Sequence, residues 1–494
     1  MLRCRRSHRR SWPPSTDREV TEMARIAGLS RLVLPTVAAA LFVGCAAVGP
    51  NYERPQLPTP PQFRFVTDTA QATSLADAPW FQVFEDPTLQ ALIREAIARN
   101  LDLKVALARV EEARARAGIA KSFLYPQVDG VASYNARQAT NTPAASGQNQ
   151  GETTNQSTVF GFQLSWELDL FGRLRRQQEA ATALLLASEQ GRRGVIVTLV
   201  GDVATDYFLL RELDLQLYIA RETLRLNDDT VTYFRNRLEG GVSNRLELDR
   251  VQANRAQTAA SIPEIELQMA VVENALSLLL GRTPGPIMRE RLGDEDPPPP
   301  VPAGLPASLL ERRPDVGQAE QLLVAANADI GAAKALFFPT ISLTGFLGGV
   351  SGDLSKFLGG DGAVWSAGAG LLQPVFQAGR LRRNLEAMHA RFDAALADYQ
   401  KSALNGYREV ANALVTIQKL AEKRVQHLEG VTALRDASDL SRARYDSGLA
   451  SYLEILTADQ ELFQRQLLLA QTRGSELRAR AELYRALGGG WQQP

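Results

Sequence analysis

The sequence predicts an α+β membrane protein built from two copies of one unit, a β-hairpin joined to a long helical hairpin, and three observations carry that prediction. The first is a repeat. Gly172-Arg173-Leu174-Arg175-Arg176 returns letter for letter as Gly379-Arg380-Leu381-Arg382-Arg383, and Leu280-Gly281 returns as Leu487-Gly488, each time 207 positions further on. Repeats of about 20 to 50 residues signal solenoids, whereas this spacing signals a duplicated domain. The second is a pair of proline-free segments, 173–237 and 380–444, dominated by residues that lose little side-chain freedom in a helix. The third is strict alternation from Val159 to Phe171, with Phe160, Phe162, Leu164, Trp166, Leu168 and Leu170 on one side and Gly161, Gln163, Ser165, Glu167 and Asp169 on the other. Period two over that length is a strand with one apolar and one wet face.

Taken in order, the chain opens on a leader. Residues 1–44 hold eight Arg and three acidic residues, so the remainder carries 47 basic and 52 acidic groups and shows no basic patch for nucleic acid. Arg31 precedes an apolar run, Leu32 to Val43, then Gly44 and Cys45. That pattern resembles a bacterial lipoprotein export signal, too short and Pro-broken for a membrane span. Met23 offers a start that gives a signal of ordinary length, which would make residues 1–22 an upstream extension of the true start. Cys45 is expected to become the first residue, with an N-acyl chain and an S-diacylglycerol as its only covalent additions and no other cofactor. Ala46 in place of Asp, by resemblance to enteric lipoproteins, implies outer membrane sorting. Cys4 and Cys45 are the only cysteines, too few for a disulfide framework or a thiolate metal site.

Residues 45–86 form a Pro-rich tether. Asp86 as cap and Pro87 in the first turn open a helix of about 35 residues. The first repeat, 87–281, continues with a hairpin over 127–171, a long helix over 173–237 and a return helix over 244–281 that Pro263 should kink or break. A linker over 282–308, with Pro297 to Pro300, leads to the second repeat, 309–488: a helix, a hairpin over 340–376, a long helix over 380–446 and a return helix over 451–488, then a tail. At about 1.5 Å per residue each long helix would reach on the order of 100 Å. In the second, Leu385, Met388, Phe392, Leu396, Tyr399, Tyr407, Val410, Leu414, Ile417, Leu428 and Val431 mark a coiled-coil-like seam. Glycines at 241 and 448 permit the reversals.

Strands of nine or more residues suffice to cross a bilayer when tilted, and a membrane sheet must close because lipid satisfies no free edge. Four strands are too few, since about eight is the smallest closed membrane barrel. The chain is therefore expected to share one barrel among identical copies, and three copies supply twelve strands.

Together the lipoprotein-type Cys45, the lead Gly49-Pro50-Asn51-Tyr52-Glu53-Arg54-Pro55, the two hairpins, the paired long helices and the Gly-Arg-Leu-Arg-Arg repeats resemble the outer membrane factors, or outer membrane efflux lipoproteins, of tripartite resistance-nodulation-division efflux systems. The resemblance runs from Leu41 to Trp491. It implies a homotrimer with a twelve-stranded outer-membrane β-barrel continued by a periplasmic α-helical barrel, through which small molecules such as drugs or other toxic compounds pass unchanged. It implies a periplasmic adaptor, the membrane fusion protein, and an inner-membrane pump as partners, with outer membrane lipid around the barrel. It carries an adaptor-docking tip onto Arg237, Leu238, Gly241 and Val242 and onto Arg444, Tyr445, Gly448 and Leu449. It also carries a gate constriction onto Leu453, although Thr457 stands where the family places an Asp.

An enzyme is not expected. The three histidines, His8, His389 and His427, assemble no metal cluster or His-based triad. Gly348 to Lys356 lacks the Gly-Lys-Ser/Thr end of a phosphate loop. An envelope-spanning coiled-coil lipoprotein would explain the helices but not the alternating strands, and a duct for type I protein secretion remains the other alternative.

Overall fold

The computed structural model describes residues 47–61, 63, 79–84, 86–139, 153–289, 311–352 and 363–490; Cys45, the leader, most of the linker and both hairpin loops lie outside them. The chain falls into two units. One comprises Ala120–Gln178 and Ala328–Met388 with the chain through Asn51, and the other Tyr52–Ile119, Glu179–Asn327 and His389–Pro494.

The first unit is a four-stranded antiparallel sheet in the order β1 (Gln127–Ala139), β2 (Thr153–Leu168), β3 (Thr340–Ser351), β4 (Ala363–Leu372). Its registers put like faces together. Phe162 lies opposite Leu347, and Leu347 opposite Trp365, while Gln163 faces Phe346 and Phe346 faces Ser366. The face carrying Phe160, Phe162, Leu347, Trp365 and Leu371 is exposed, Trp365 to 79 %. Such large apolar area left open to solvent marks a surface meant for another apolar phase. β1 and β4 are each paired on one side only among the described residues.

Below the sheet, the stretch Ala47–Asn51 is wedged into place. Val48 N–H donates to Phe171 O at 3.0 Å, and the buried Arg176 guanidinium donates to Asn51 Oδ1 at 2.8 Å and to the carbonyls of Val48 and Gly49 at 3.4 Å. Gly49 has φ +107°, and a Cβ there would sit 2.4 Å from Gly331 Cα. Two glycines are what allow those backbones to meet. Asp169 accepts from the backbone N–H of Leu174 (3.0 Å) and Arg175 (2.9 Å), which starts α4 (Arg173–Glu239). Phe171 stacks on Phe338 with centroids 4.8 Å apart.

The second unit is helical. α1 (Trp80–Val83) and α2 (Pro87–Arg99) bury Trp80, Leu89 and Ile93 against Val203, Tyr207 and Leu210 of α4, Leu276 of α5 (Arg245–Leu279) and Tyr484 of α8 (Tyr452–Ala486). Asp86 caps α2 through Thr88 and Leu89 N–H, and its other oxygen accepts from Tyr207 Oη at 2.6 Å and Arg211 Nη1 at 3.1 Å. Burial, followed by that carboxylate, pushes the Tyr207 phenol up from its ordinary pKa. The Pro-rich segment lies on helices: Tyr52 and Leu57 pack against Val316 and Leu323 of α6 (Pro314–Ala335) and Tyr399 of α7 (Arg380–Asp446), and Arg54 pairs with Glu320 at 2.8 Å.

Three expectations are corrected. The single helix after Asp86 is two, because Asn100 (ψ 134°) breaks it between α2 and α3 (Leu101–Ser122). The Asn100 side chain accepts from Leu103 N–H at 2.9 Å and donates to Leu279 O at 2.9 Å, capping one helix start and one helix end. Pro263 does not break α5, which runs unbroken past it. Ile262 and Ile265 on either side are held in a cluster with Leu213, Leu217 and Phe463, so tertiary packing outweighs the lost N–H. Leu428 is exposed rather than in the α7 seam, and its neighbour His427 is buried there instead, Nδ1 3.2 Å from Arg465 Nη1. Burial and the adjacent Arg465 and Lys423 cations hold that imidazole below its usual pKa.

Buried arginines fix the helices in register. Arg289 grips Asp214 of α4 with two bonds (2.6 and 3.0 Å) and Glu273 of α5 with a third (2.6 Å). Glu212 of α4 pairs with Arg478 of α8, in a notch that exists because position 474 is glycine. Glu476 of α8 in turn accepts from Arg424 of α7 at 3.0 Å. Removing one partner of a buried pair leaves an uncompensated charge and costs about 3 kcal/mol or more. Arg289→Ala is accordingly expected to lower the thermal unfolding midpoint followed by far-UV circular dichroism. Arg289→Lys should recover less than half of the loss, because an ammonium cannot bind Asp214 with a planar fork.

Candidate functional site

The two helical reversals, α4 to α5 and α7 to α8, have the same construction. Val242 N–H donates to Arg237 O at 2.9 Å and Gly241 N–H to Leu238 O at 3.1 Å; Leu449 N–H donates to Arg444 O at 2.8 Å and Gly448 N–H to Tyr445 O at 2.9 Å. These are the paired bonds of a Schellman ending, which needs a left-handed residue. Gly241 and Gly448 supply it, each at φ +73°.

The turns therefore point Val242 (65 % exposed) and Leu449 (71 % exposed) outward, while the residues one turn earlier face inward. Phe234 and Tyr452 are buried with ring centroids 4.3 Å apart, and Tyr445 closes on both at 6.1 and 6.0 Å. Leu238, Leu248, Val251, Ile455 and Leu456 complete this cluster. Arg237 lies over Tyr445 at 5.6 Å and over Tyr233 at 5.4 Å, and it donates to Tyr233 Oη at 2.8 Å. The two motifs thus meet through Arg237 and Leu238 of the first and Tyr445 of the second. Burial raises the Tyr445 phenol, against the pull of Arg237, and raises that of Tyr452. Arg237 is held between two aromatic rings, which attract its charge.

Arg444 does not join that box. It pairs with Glu454 at 3.5 Å. Leu453 is half exposed, and Thr457 Oγ1 donates to Leu453 O at 2.9 Å, so the hydroxyl is spent on its own helix. Asp459 is held by Arg442 at 3.0 Å and by the Ser438 hydroxyl. Glu454 and Asp459, on the same helix as Leu453, are thus in ion pairs.

Several residues of this region carry no signal in the repeat motif. Tyr233, Phe234 and Tyr452 flank it as ordinary helix residues. Asn227 Nδ2 donates to Thr258 Oγ1 (3.0 Å), Asn254 Nδ2 to Asn227 Oδ1 (3.3 Å) and Gln460 Nε2 to Asn254 Oδ1 (3.0 Å), a polar ladder across α4, α5 and α8. Buried amides of this kind fix helix register. Cys45 lies outside the described residues. Among those described, no helix is long and apolar enough to cross a membrane, and no group of three His, Cys, Asp or Glu could hold a metal ion.

A family model described as outer membrane efflux protein matches residues 92–282 and 305–489, one segment per repeat. The cation efflux system protein CusC of Escherichia coli is 34 % identical over 466 residues, 93 % of this chain and 99 % of its own length. The solvent efflux pump outer membrane protein SrpC of Pseudomonas putida is 35 % identical over 476 residues, 93 % and 98 % respectively. Among solved structures, the outer-membrane channel OprN superposes with a TM-score of 0.84 at 31 % identity, over 91 % of this chain and 100 % of that one. Both repeats are matched and the relatives are covered almost end to end: the chain belongs to the outer membrane efflux protein family.

Proposed function

We propose that three copies of this chain close one twelve-stranded barrel in the outer membrane, anchored by lipid on Cys45, and continue into the periplasm as a helical barrel. Small toxic molecules leave through it unchanged, delivered by an inner-membrane resistance-nodulation-division pump through a periplasmic adaptor. The observation that carries the reading is the sheet: four strands, two free edges and one large apolar face. In hydrocarbon each unpaired backbone group costs several kcal/mol, so the edges must be paired by other copies. The tips suit adaptor docking because Val242 and Leu449 project from a rigid aromatic base. Leu453, whose neighbour Glu454 is paired with Arg444, makes the constriction apolar. CusC is named for cations and SrpC for solvents, so one channel design serves unlike cargoes and the pump sets the choice.

Four measurements test this reading. Native mass spectrometry in detergent is expected to give a trimer, and the same preparation discrete single-channel conductance in planar bilayers; a non-conducting monomer would mean a scaffold. Intact mass of the mature chain is expected to place its first residue at Cys45 with acyl additions, whereas a start at Met23 refutes lipidation. Gly241→Trp and Gly448→Trp should reduce drug resistance to that of a strain lacking the gene while leaving trimer and conductance unchanged. Undiminished resistance would count against docking at the tips.

A further inference from the structure

The second repeat keeps three arginines of the first and lacks what binds them there. In the first repeat Arg173 forks onto Glu167 at 3.0 and 2.6 Å, and Arg175 reaches Asp169 at 3.2 Å. Arg176 is buried against Val48, Gly49 and Asn51. Moved on by 207 positions, Arg380, Arg382 and Arg383 stand in the same order, but Pro374 replaces Glu167 and Phe376 replaces Asp169. The stretch Ala47–Asn51 lies beside Arg176 and not beside Arg383. Among the described residues the Arg380 guanidinium meets only Gln377, and Arg382 and Arg383 share one carboxylate, Glu386, at 3.1 and 2.7 Å. Three guanidinium groups against one carboxylate leave two positive charges in excess. The Arg382 and Arg383 side chains are each 82 % exposed.

The adjoining chain diverges in a matching sense. The connection from β4 to α7 exposes Val375 to 93 % and Phe376 to 86 %, just after Leu371 and Leu372, which are exposed on β4 itself. On the corresponding connection of the first repeat, Leu168 to Phe171 are half-buried. An apolar strip thus runs off the end of the sheet into a cationic cluster whose charge the chain does not balance. Guanidinium forks match phosphate oxygens, and exposed apolar side chains beside them match acyl chains.

Resting on the reading that the sheet lies in the outer membrane, we propose that Arg380, Arg382 and Arg383 hold the phosphate of an anionic phospholipid of the periplasmic leaflet, with Val375 and Phe376 among its acyl chains. Two observations favour a lipid over a soluble anion. The apolar strip continues the apolar end of β4, and the cluster sits between the last residue of β4, Leu372, and the first turns of α7, where the chain leaves hydrocarbon for water. The first repeat shows what these arginines accept: carboxylate, amide and carbonyl oxygens, all supplied by the chain. In the second repeat the headgroup supplies the oxygens. An excess of two positive charges favours an anionic over a zwitterionic headgroup, on the order of tenfold in affinity.

Native mass spectrometry of the full-length protein in detergent, titrated with phosphatidylglycerol or phosphatidylethanolamine, reads the site. Phosphatidylglycerol is expected to half-saturate it at a concentration about tenfold lower. Arg380→Gln with Arg382→Gln and Arg383→Gln should abolish that preference, with far-UV circular dichroism confirming the fold. Arg225→Gln with Arg245→Gln, exposed arginines of the helical unit, should keep it. Val375→Ser with Phe376→Ser should weaken binding of both lipids. Equal binding of the two lipids by the wild-type chain, or a preference that survives the triple substitution, overturns the site. So does displacement of the lipid by inorganic phosphate, which marks a site for soluble anions. A triple variant that loses its trimer in the same spectra assigns the arginines to a contact between copies, and it too overturns the proposal. Conductance in planar bilayers without a lipid preference sinks this site alone; a wild-type chain that neither inserts nor conducts sinks the membrane reading beneath it.

Discussion

A β-strand edge in lipid has nowhere to put its hydrogen bonds, and much of this chain follows from that one constraint. A helix satisfies its own backbone and can end anywhere; a membrane sheet can end only by meeting another strand. Among the described residues the chain contributes four strands, with β1 and β4 each paired on one side. Duplication is an economical answer to the same constraint. The identical registers of the two hairpins are the trace of that duplication.

Duplication leaves the copies free to diverge wherever the linker or the amino terminus breaks the equivalence. Arg176 and Arg383 are identical in sequence context, yet one is buried against Ala47–Asn51 and the other is exposed, because the chain has a single amino terminus. At the tips the divergence is compositional. Positions 234 and 441 are Phe and Ser, 238 and 445 are Leu and Tyr, and 245 and 452 are Arg and Tyr. Phe234 from the first repeat and Tyr445 and Tyr452 from the second make one aromatic box between the two hairpins, where identical repeats would have made two half-filled ones.

What the sequence discloses here follows the range of the forces involved. The strands, the proline-free helices and the glycine reversals are local, and they are visible as alternation, composition and a positive-φ residue at a helix end. The tip was legible as two motifs, but not as the box that joins them, because Tyr233 and Phe234 gain their meaning only from Tyr445 and Tyr452 about 200 residues away. The break at Asn100, the unbroken helix through Pro263 and the burial of His427 in place of Leu428 escape a sequence reading for the same reason. Each follows a partner distant in sequence: Leu279 O for Asn100, Phe463 beside Ile262 and Ile265 for Pro263, and Arg465 for His427.

In the channel proposed above, the arrangement around Leu453 would bear on what passes the tip. A ring of free carboxylates at a constriction favours cations and repels anions through Coulomb forces that are strong where water is scarce. Here Glu454 is paired with Arg444 and Asp459 with Arg442, and Thr457 is neutral and bonded to its own helix. Were Leu453 to line the constriction proposed above, its barrier would be apolar, set by side-chain size and by the cost of dehydrating a solute, which falls most heavily on small ions and least on organic molecules. An apolar constriction discriminates by hydration rather than by sign of charge.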